Sequence, residues 1–196
     1  MAARKKEYTI YSDLHIGGQV EKNPFKNNQV KFTKNTVFLG DNFDLENALH
    51  KKVAEVDNLR KEIASKVLKA GGIFIDGNHE LLPIKKEESF VVRDHVLFLH
   101  GDLVSWGFKR AQRWRAKKTK GKGEIYWGLL KIIREFYHGH KDNIRNKKID
   151  RAVKLAKDFK CHTIVVGHFH PRNLTVIKKD GVRIIVVPNG ITKIEL

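Results

Sequence analysis

The sequence predicts an α/β fold, and three observations carry that prediction. Five short apolar runs with strand character recur along the 196 residues, at 8–11, 36–39, 72–75, 96–99 and 163–166. Runs of this length, rich in β-branched and aromatic residues and halted by polar residues or Gly, read as buried strands entering loops. Segments with helical spacing lie between some of them, as parallel strands joined by crossovers require. Each run also hands over at once to a polar block. These blocks are Asp13-Leu14-His15, Gly40-Asp41-Asn42-Phe43-Asp44, Gly77-Asn78-His79-Glu80, His100-Gly101-Asp102 and Gly167-His168-Phe169-His170. In open α/β sheets ligands sit beyond the carboxyl ends of the strands, so five such ends can serve one site.

In chain order, residues 1–6 form a short basic start, and the first strand then delivers Asp13. Gly17-Gly18 lets the backbone pass close to the site. Residues 21–34 are polar, with Asn23-Pro24 as a turn signal, and read as a connecting loop. The second strand delivers Asp41. Residues 45–70 form the clearest helix, because Leu45, Leu49, Val53, Val56, Ile63 and Val67 recur at helical spacing and Gly71-Gly72 ends it. The third strand delivers Asn78 and His79, residues 81–89 form a charged loop, and the fourth strand ends at His100. Residues 143–159 read as a second crossover helix, with Ile149, Val153, Ala156 and Phe159 on one face. The fifth strand leads to His168 and His170. Lys178-Lys179-Asp180-Gly181 signals a hairpin turn before a last strand at 183–187, which Pro188-Asn189-Gly190 turns.

Length predicts a single domain over 1–196. Net charge is +17, which implies attraction to polyanions such as nucleic acid, phosphorylated substrates or an anionic membrane surface. Cys161 is the one cysteine, so no intramolecular disulfide forms, and its place before an apolar run predicts a small buried residue. The start of the chain has no apolar h-region, and no stretch reaches the ~18 apolar residues of a membrane span. A cytoplasmic protein is expected, peripheral to the membrane if its basic surface meets lipid.

The polar blocks point to metal chemistry. Asp and His with an Asn carbonyl make a mixed oxygen and imidazole ligand set, which suits manganese, iron or zinc better than calcium. The absence of paired thiolates argues against a structural zinc site. Asp13, His15, Asp41, Asn78, His100, His168 and His170 are more ligands than one ion needs, and would supply two ions with one carboxylate bridging. Paired ions clamp a phosphoryl group and activate water, so these residues propose metal-assisted hydrolysis of a phosphate ester. The remaining histidines, His50, His95, His138, His140 and His162, read as ordinary structural or surface residues.

The order D-x-H, GDxxD, GNH[DE], H and GHxH resembles the calcineurin-like metallophosphoesterase superfamily, and the resemblance runs from Asp13 to His170. It implies two packed mixed β-sheets flanked by helices. It further implies that Asp13, His15 and His170 hold a first metal ion, that Asp41 bridges, and that Asn78, His100 and His168 complete a second site. His79 would contact the phosphate and assist the leaving oxygen, with Glu80 orienting its ring. Asp44 would support loop geometry. The implied cofactor is a pair of divalent ions, manganese foremost, with iron or zinc as alternatives. The implied reaction is cleavage of a phosphodiester or pyrophosphate bond by in-line attack of a metal-bound hydroxide, with Asp41 and His79 as the catalytic pair.

Residues 104–150 separate two of the blocks and read as a helical, cap-like insertion. They hold fourteen Lys/Arg against four Asp/Glu, and all three tryptophans, Trp106, Trp114 and Trp127. Basic residues among aromatics fit phosphate contacts with base stacking, a lid over an amphiphilic substrate at a membrane, or an ordinary helical insertion packed on the domain. In the resemblance, an insertion at this position is similar in architecture to UDP-2,3-diacylglucosamine hydrolases, although that branch carries Arg where this chain has His79. The substrate stays open among a nucleotide, a nucleotide-lipid and nucleic acid. A nuclease of the same superfamily and a non-catalytic scaffold on the same fold are the competing readings.

Overall fold

The protein is described by a computed structural model that covers residues 6–18, 24–25, 30–46, 53–80, 89–119, 144 and 146–196. Alternation along buried strands decides its layering. In β1 (Glu7–Ser12), Tyr8 and Ile10 face one side and Tyr11 the other. β1 pairs in parallel with β2 (Thr36–Leu39), and β2 in parallel with β3 (Ile73–Ile75). β9 (Gly190–Glu195) closes the other edge antiparallel to β1, from Glu7 opposite Glu195 to Ser12 opposite Gly190. The first sheet therefore has the order β3-β2-β1-β9.

A second sheet is built around β5 (Val96–Leu99), β6 (Thr163–Val166) and β8 (Val182–Val186), all parallel. β4 (Phe90–Arg93) and β7 (Thr175–Lys179) flank it antiparallel, giving the order β4-β5-β6-β8-β7. The two sheets pack face to face through Tyr8, Ile10, Val37, Leu39, Ile73 and Ile75 on one side and Val96, Phe98, Val165 and Ile185 on the other. Helix α1 (Val53–Lys69) covers the outer face of the first sheet with Val56, Ile63 and Val67 against Tyr11 and Phe38. The outer face of the second is covered by α2 (Asp102–Trp106) and α4 (Asn146–Asp158), whose Leu103, Val104, Ala152, Val153 and Ala156 meet Leu97, Leu99, Ile164 and Val166. α3 (Phe108–Thr119) follows α2 directly. Strands covered on both faces need apolar residues at every position, which is why they appear in the sequence as unbroken runs.

The fold is thus the expected α/β architecture of two mixed sheets flanked by helices. Several boundaries move. The helix expected over 45–70 runs from Val53 to Lys69. Leu45 is buried in a turn that is held by backbone bonds in the loop after β2, and residues 47–52 lie outside the described residues. The helix expected over 143–159 runs from Asn146 to Asp158. Three strands, β4, β7 and β9, carry no sequence signal strong enough to be read. β4 joins β5 through Asp94-His95, whose positive φ values of 50° and 57° make a two-residue hairpin turn without glycine. The expected turn at Asp180-Gly181 is present, with φ values of 48° and 78° that suit a type I′ turn. Cys161 is buried, as expected. Of the insertion expected at 104–150, residues 120–143 and 145 lie outside the described residues, Trp127 among them.

Candidate metal centre

Because β1, β2 and β3 are parallel in one sheet and β5 and β6 in the other, their carboxyl ends carry the polar blocks to one rim of the sandwich. The rim is laced by backbone bonds. Asp13 N–H donates to the Gly40 carbonyl at 3.1 Å, His15 N–H to the Asp41 carbonyl at 3.1 Å, and Asp44 N–H to the Ile16 carbonyl at 2.9 Å. One carboxylate joins the two sheets. Asp13 Oδ2 accepts from the backbone N–H of His168 at 2.9 Å and from the Ser12 hydroxyl.

Ligand-type atoms gather there in three groups, each with all atoms within 4.8 Å of one another: Asp13, His15 and His170; Asp41, His100 and His168; and His15, Asp44 and His79. In the first group Asp13 Oδ1 lies 2.9 Å from His170 Nε2. That bond, with the charges on His100 and His170, outweighs burial and holds the Asp13 carboxyl at about 2. His170 stands half open to solvent, with its ring 5.8 Å from that of His15.

In the second group Asp41 and His100 are buried and His168 is partly buried. His100 Nδ1 donates to the Leu39 carbonyl at 2.9 Å, so Nε2 turns its lone pair inward. Nε2 meets His168 Nδ1 at 3.1 Å and Asp41 Oδ2 at 3.2 Å. A backbone acceptor on the outer nitrogen is the usual way a metal-binding imidazole is oriented. Burial disfavours a charged ring at His100, but Asp41 beside it takes the ring up to about 10. Burial and the charge on the His100 ring push His168 down to about 3. Two inward-facing imidazole nitrogens and a carboxylate are therefore reconciled by a shared proton or by a cation. Asn78 supplies a second indication, because its Oδ1 is buried with no hydrogen-bond partner among the described residues. The donor set and this orphaned carbonyl oxygen fit a divalent ion of the manganese, iron or zinc type.

The third group holds His79. Its Nδ1 lies 3.1 Å from Asp44 Oδ1 and 3.4 Å from Glu46 Oε2, which leaves Nε2 facing Asp41 Oδ2 at 4.0 Å. Burial opposes the charge on this ring, yet Asp41 and the Asp44 bond raise it to about 9. Asp44, not Glu80, orients the ring, which corrects the expectation from sequence. Glu80 is turned inward instead. Its carboxylate accepts from the backbone N–H of Gly77 at 2.7 Å, Asp41 at 3.0 Å and Phe43 at 3.0 Å, tying two of the rim loops together. Burial, with Asp41 and Asp76 nearby, pushes Glu80 up to about 8.

Backbone conformation marks the same residues. Asp13, His15, Asp41, His168 and His170 all have positive φ, between 47° and 74°. The left-handed region costs a non-glycine residue roughly 1–2 kcal/mol, and such residues gather where surrounding structure imposes them at functional sites. Two glycines show how close the loops come. A Cβ on Gly77 would strike the Asp41 carboxylate, and one on Gly167 would strike the Ser12 hydroxyl and crowd Asp13 Oδ2 at 2.9 Å.

The structure therefore brings together Asp13, His15, Asp41, Asn78, His79, His100, His168 and His170. His95 and His162 are exposed and apart from the rim. His50, His138 and His140 lie outside the described residues. Gly17 serves packing, since a Cβ there would strike Val56 of α1 at 2.5 Å, whereas Gly18 does pass close to the site, where a Cβ would crowd Asp44 Oδ2 at 2.8 Å. Two contributors were missed from sequence. Glu46 reaches His79, and Arg115, 3% exposed, binds Asp102 with Nη2 at 2.7 Å and Nε at 3.0 Å. No spacing in the sequence marks either one. Among the described residues no helix is long and apolar enough to cross a membrane.

The family profile described as calcineurin-like phosphoesterase matches residues 7–172. No curated protein matches the chain. Among solved structures, a cold-active protein-tyrosine phosphatase of a psychrophilic Shewanella species is 16% identical. It aligns over 96% of this chain and 75% of its own, with a TM-score of 0.49. Another structure described as a cold-active protein tyrosine phosphatase gives 17% identity, 96% and 73% coverage and a TM-score of 0.50. A predicted phosphoesterase from Streptococcus pneumoniae gives 14% identity, 100% and 85% coverage and a TM-score of 0.42.

Proposed function

The chain belongs to the calcineurin-like phosphoesterase family, a metal-dependent hydrolase family, and on that premise we propose that it cleaves a phosphodiester or pyrophosphate bond at a two-ion centre on the sandwich rim. The observation that carries this reading is the convergence of Asp13, His15 and His170 beside Asp41, His100 and His168, two ligand groups sharing one rim. Asp13, His15 and His170 would hold one ion. Asn78, His100 and His168 would hold the other, and Asp41 would serve both. When bound, such ions neutralise charge on a phosphoryl group and lower the pKa of water. We read manganese as the preferred ion on ligand type alone.

The chain's own residues supply the rest. His79 keeps Nδ1 engaged by Asp44 and Glu46, so Nε2 is presented toward the reacting centre and would give its proton to the leaving oxygen. Leu39, through its carbonyl, fixes the His100 ring, and Glu80 fixes the loop that carries Asp41. We further read 104–150 as a cap-like insertion on a single domain, similar in position to that of UDP-2,3-diacylglucosamine hydrolases. One cysteine in the chain fits a reducing compartment such as the cytoplasm.

The test is hydrolysis of bis-p-nitrophenyl phosphate with and without Mn2+, run beside titration calorimetry of the metal. Wild type is expected to bind two ions per chain and to turn over only when loaded. Asp41→Ala is expected to lose metal binding and nearly all turnover. Undiminished stoichiometry in that variant would refute the assignment.

A further inference from the structure

We propose that the solvent face of α3, together with the Trp106–Trp114 pair at its root, is a binding surface for single-stranded nucleic acid that leads its backbone into the metal centre. This rests on the hydrolytic reading above and names its substrate class. Three observations meet at this place. The Trp106 ring stands edge to face with His168 at 5.7 Å, so an indole adjoins the second ligand group directly. Trp106 stacks on Trp114 at 5.9 Å with 20° between the planes, and both are only half-buried. α3 has no acidic residue from Phe108 to Thr119, and its exposed Lys109, Arg110 and Arg113 make no ion pair among the described residues.

Helix geometry puts these groups on one side. Arg110 lies three and four residues before Arg113 and Trp114, so the cations and the indole neighbour one another. Arg115, on the buried side, locks the helix in place. It binds Asp102, two residues past His100, and both of its Nη atoms reach the Asp76 carbonyl at 3.4 Å, two residues before Asn78. The cationic face therefore stands at a fixed position relative to the ligands rather than on a free arm.

Chemistry selects the occupant. A helix that binds a lipid surface needs an exposed apolar face. Among the described residues the exposed large apolar side chains are Leu68, Val92, Leu174, Val176 and Ile191, and none lies on α2 or α3. A surface with cations that have no ion-pair partner among the described residues, beside flat aromatic faces, matches a strand that carries a phosphate on every residue and a π-face on every base. A mononucleotide would bring one stacking face and one phosphate to a surface with three cations.

The experiment is fluorescence anisotropy of a labelled oligothymidylate against the full chain in EDTA, at a series of salt concentrations, so that binding is read apart from turnover. Wild type is expected to bind with affinity that falls steeply with salt. Lys109→Gln/Arg110→Gln/Arg113→Gln should flatten the log–log salt slope by about 2, at roughly 0.7 per phosphate contact on a single strand, with the melting temperature unchanged. Trp114→Ala should weaken binding by about 5- to 100-fold, and Trp114→Phe should restore most of it. An unchanged slope in the triple variant overturns the proposal. So does wild-type binding to anionic phosphatidylserine vesicles, or to a UDP-sugar, in preference to the oligonucleotide. Bis-p-nitrophenyl phosphate hydrolysis with Mn2+ separates the two readings. Turnover without oligonucleotide binding removes this proposal and leaves the hydrolase, whereas salt-sensitive binding without any metal-dependent turnover supports the surface and removes the hydrolytic reading.

Discussion

Asn78 and His79 are adjacent in the chain but are built for different work. Asn78 presents a buried carbonyl oxygen that nothing among the described residues satisfies, whereas His79 is held from behind by Asp44 and Glu46. Substitution should separate the two. Asn78→Ala is expected to weaken binding of one ion by more than the roughly 10–100-fold typical of a supporting partner, which calorimetry would show as a second, weaker step. His79→Gln is expected to keep two ions and to lower kcat by about 10²–10⁴-fold, the range of a lost general acid. A His79→Gln variant that instead loses an ion would make the ring a ligand.

At the scale of elements, the rim depends on ties between loops that start on different strands. Arg60 of α1 holds Asp76 at the end of β3, with Nε at 2.7 Å from Oδ1, and Arg115 of α3 holds Asp102 and the Asp76 carbonyl. The Arg115–Asp102 pair is almost fully buried, so removing one partner leaves a charge without compensation. Arg115→Met is expected to cost about 3–5 kcal/mol in urea unfolding. Replacing both partners, as Arg115→Met/Asp102→Leu, should recover much of that, because two apolar groups leave no buried charge. Full destabilisation in the double variant would show that Arg115 matters through other contacts.

For the whole molecule, the two sheets provide the stability and the rim draws on it. Five candidate ligands in left-handed backbone are sustained by a core that buries both faces of the central strands. Metal binding should return part of that cost. At a hundredfold excess over Kd a ligand specific to the folded state adds about 2.7 kcal/mol, and for a chain of this length that raises Tm by about 5–10 °C. Removing Mn2+ with EDTA should reverse the rise in a thermal melt, and an identical Tm with and without Mn2+ would speak against a binding site on the rim.

Much of this was legible in the chain. The runs at 36–39, 96–99 and 163–166 match their strands residue for residue, because strands buried on both faces leave an unbroken apolar signature. The polar blocks were legible because a strand must end before its functional residues begin. β4, β7 and β9 were not, since all three are partly exposed edge strands: β7 and β9 mix Lys and Thr among apolar residues, and β4 offers only Phe90 to Val92 before Arg93. By itself the sequence determined the fold class, the family and which residue types stand at each strand end, all of which are local pattern. Only the tertiary structure decided that Asp44 rather than Glu80 steadies His79, that Glu80 binds loop amides, and that Arg115 ties α3 to the rim. Apart from Gly77, three residues from Glu80, those partners lie between 13 and 39 residues apart, and a side chain's choice among distant partners follows from packing and burial, which no local pattern encodes.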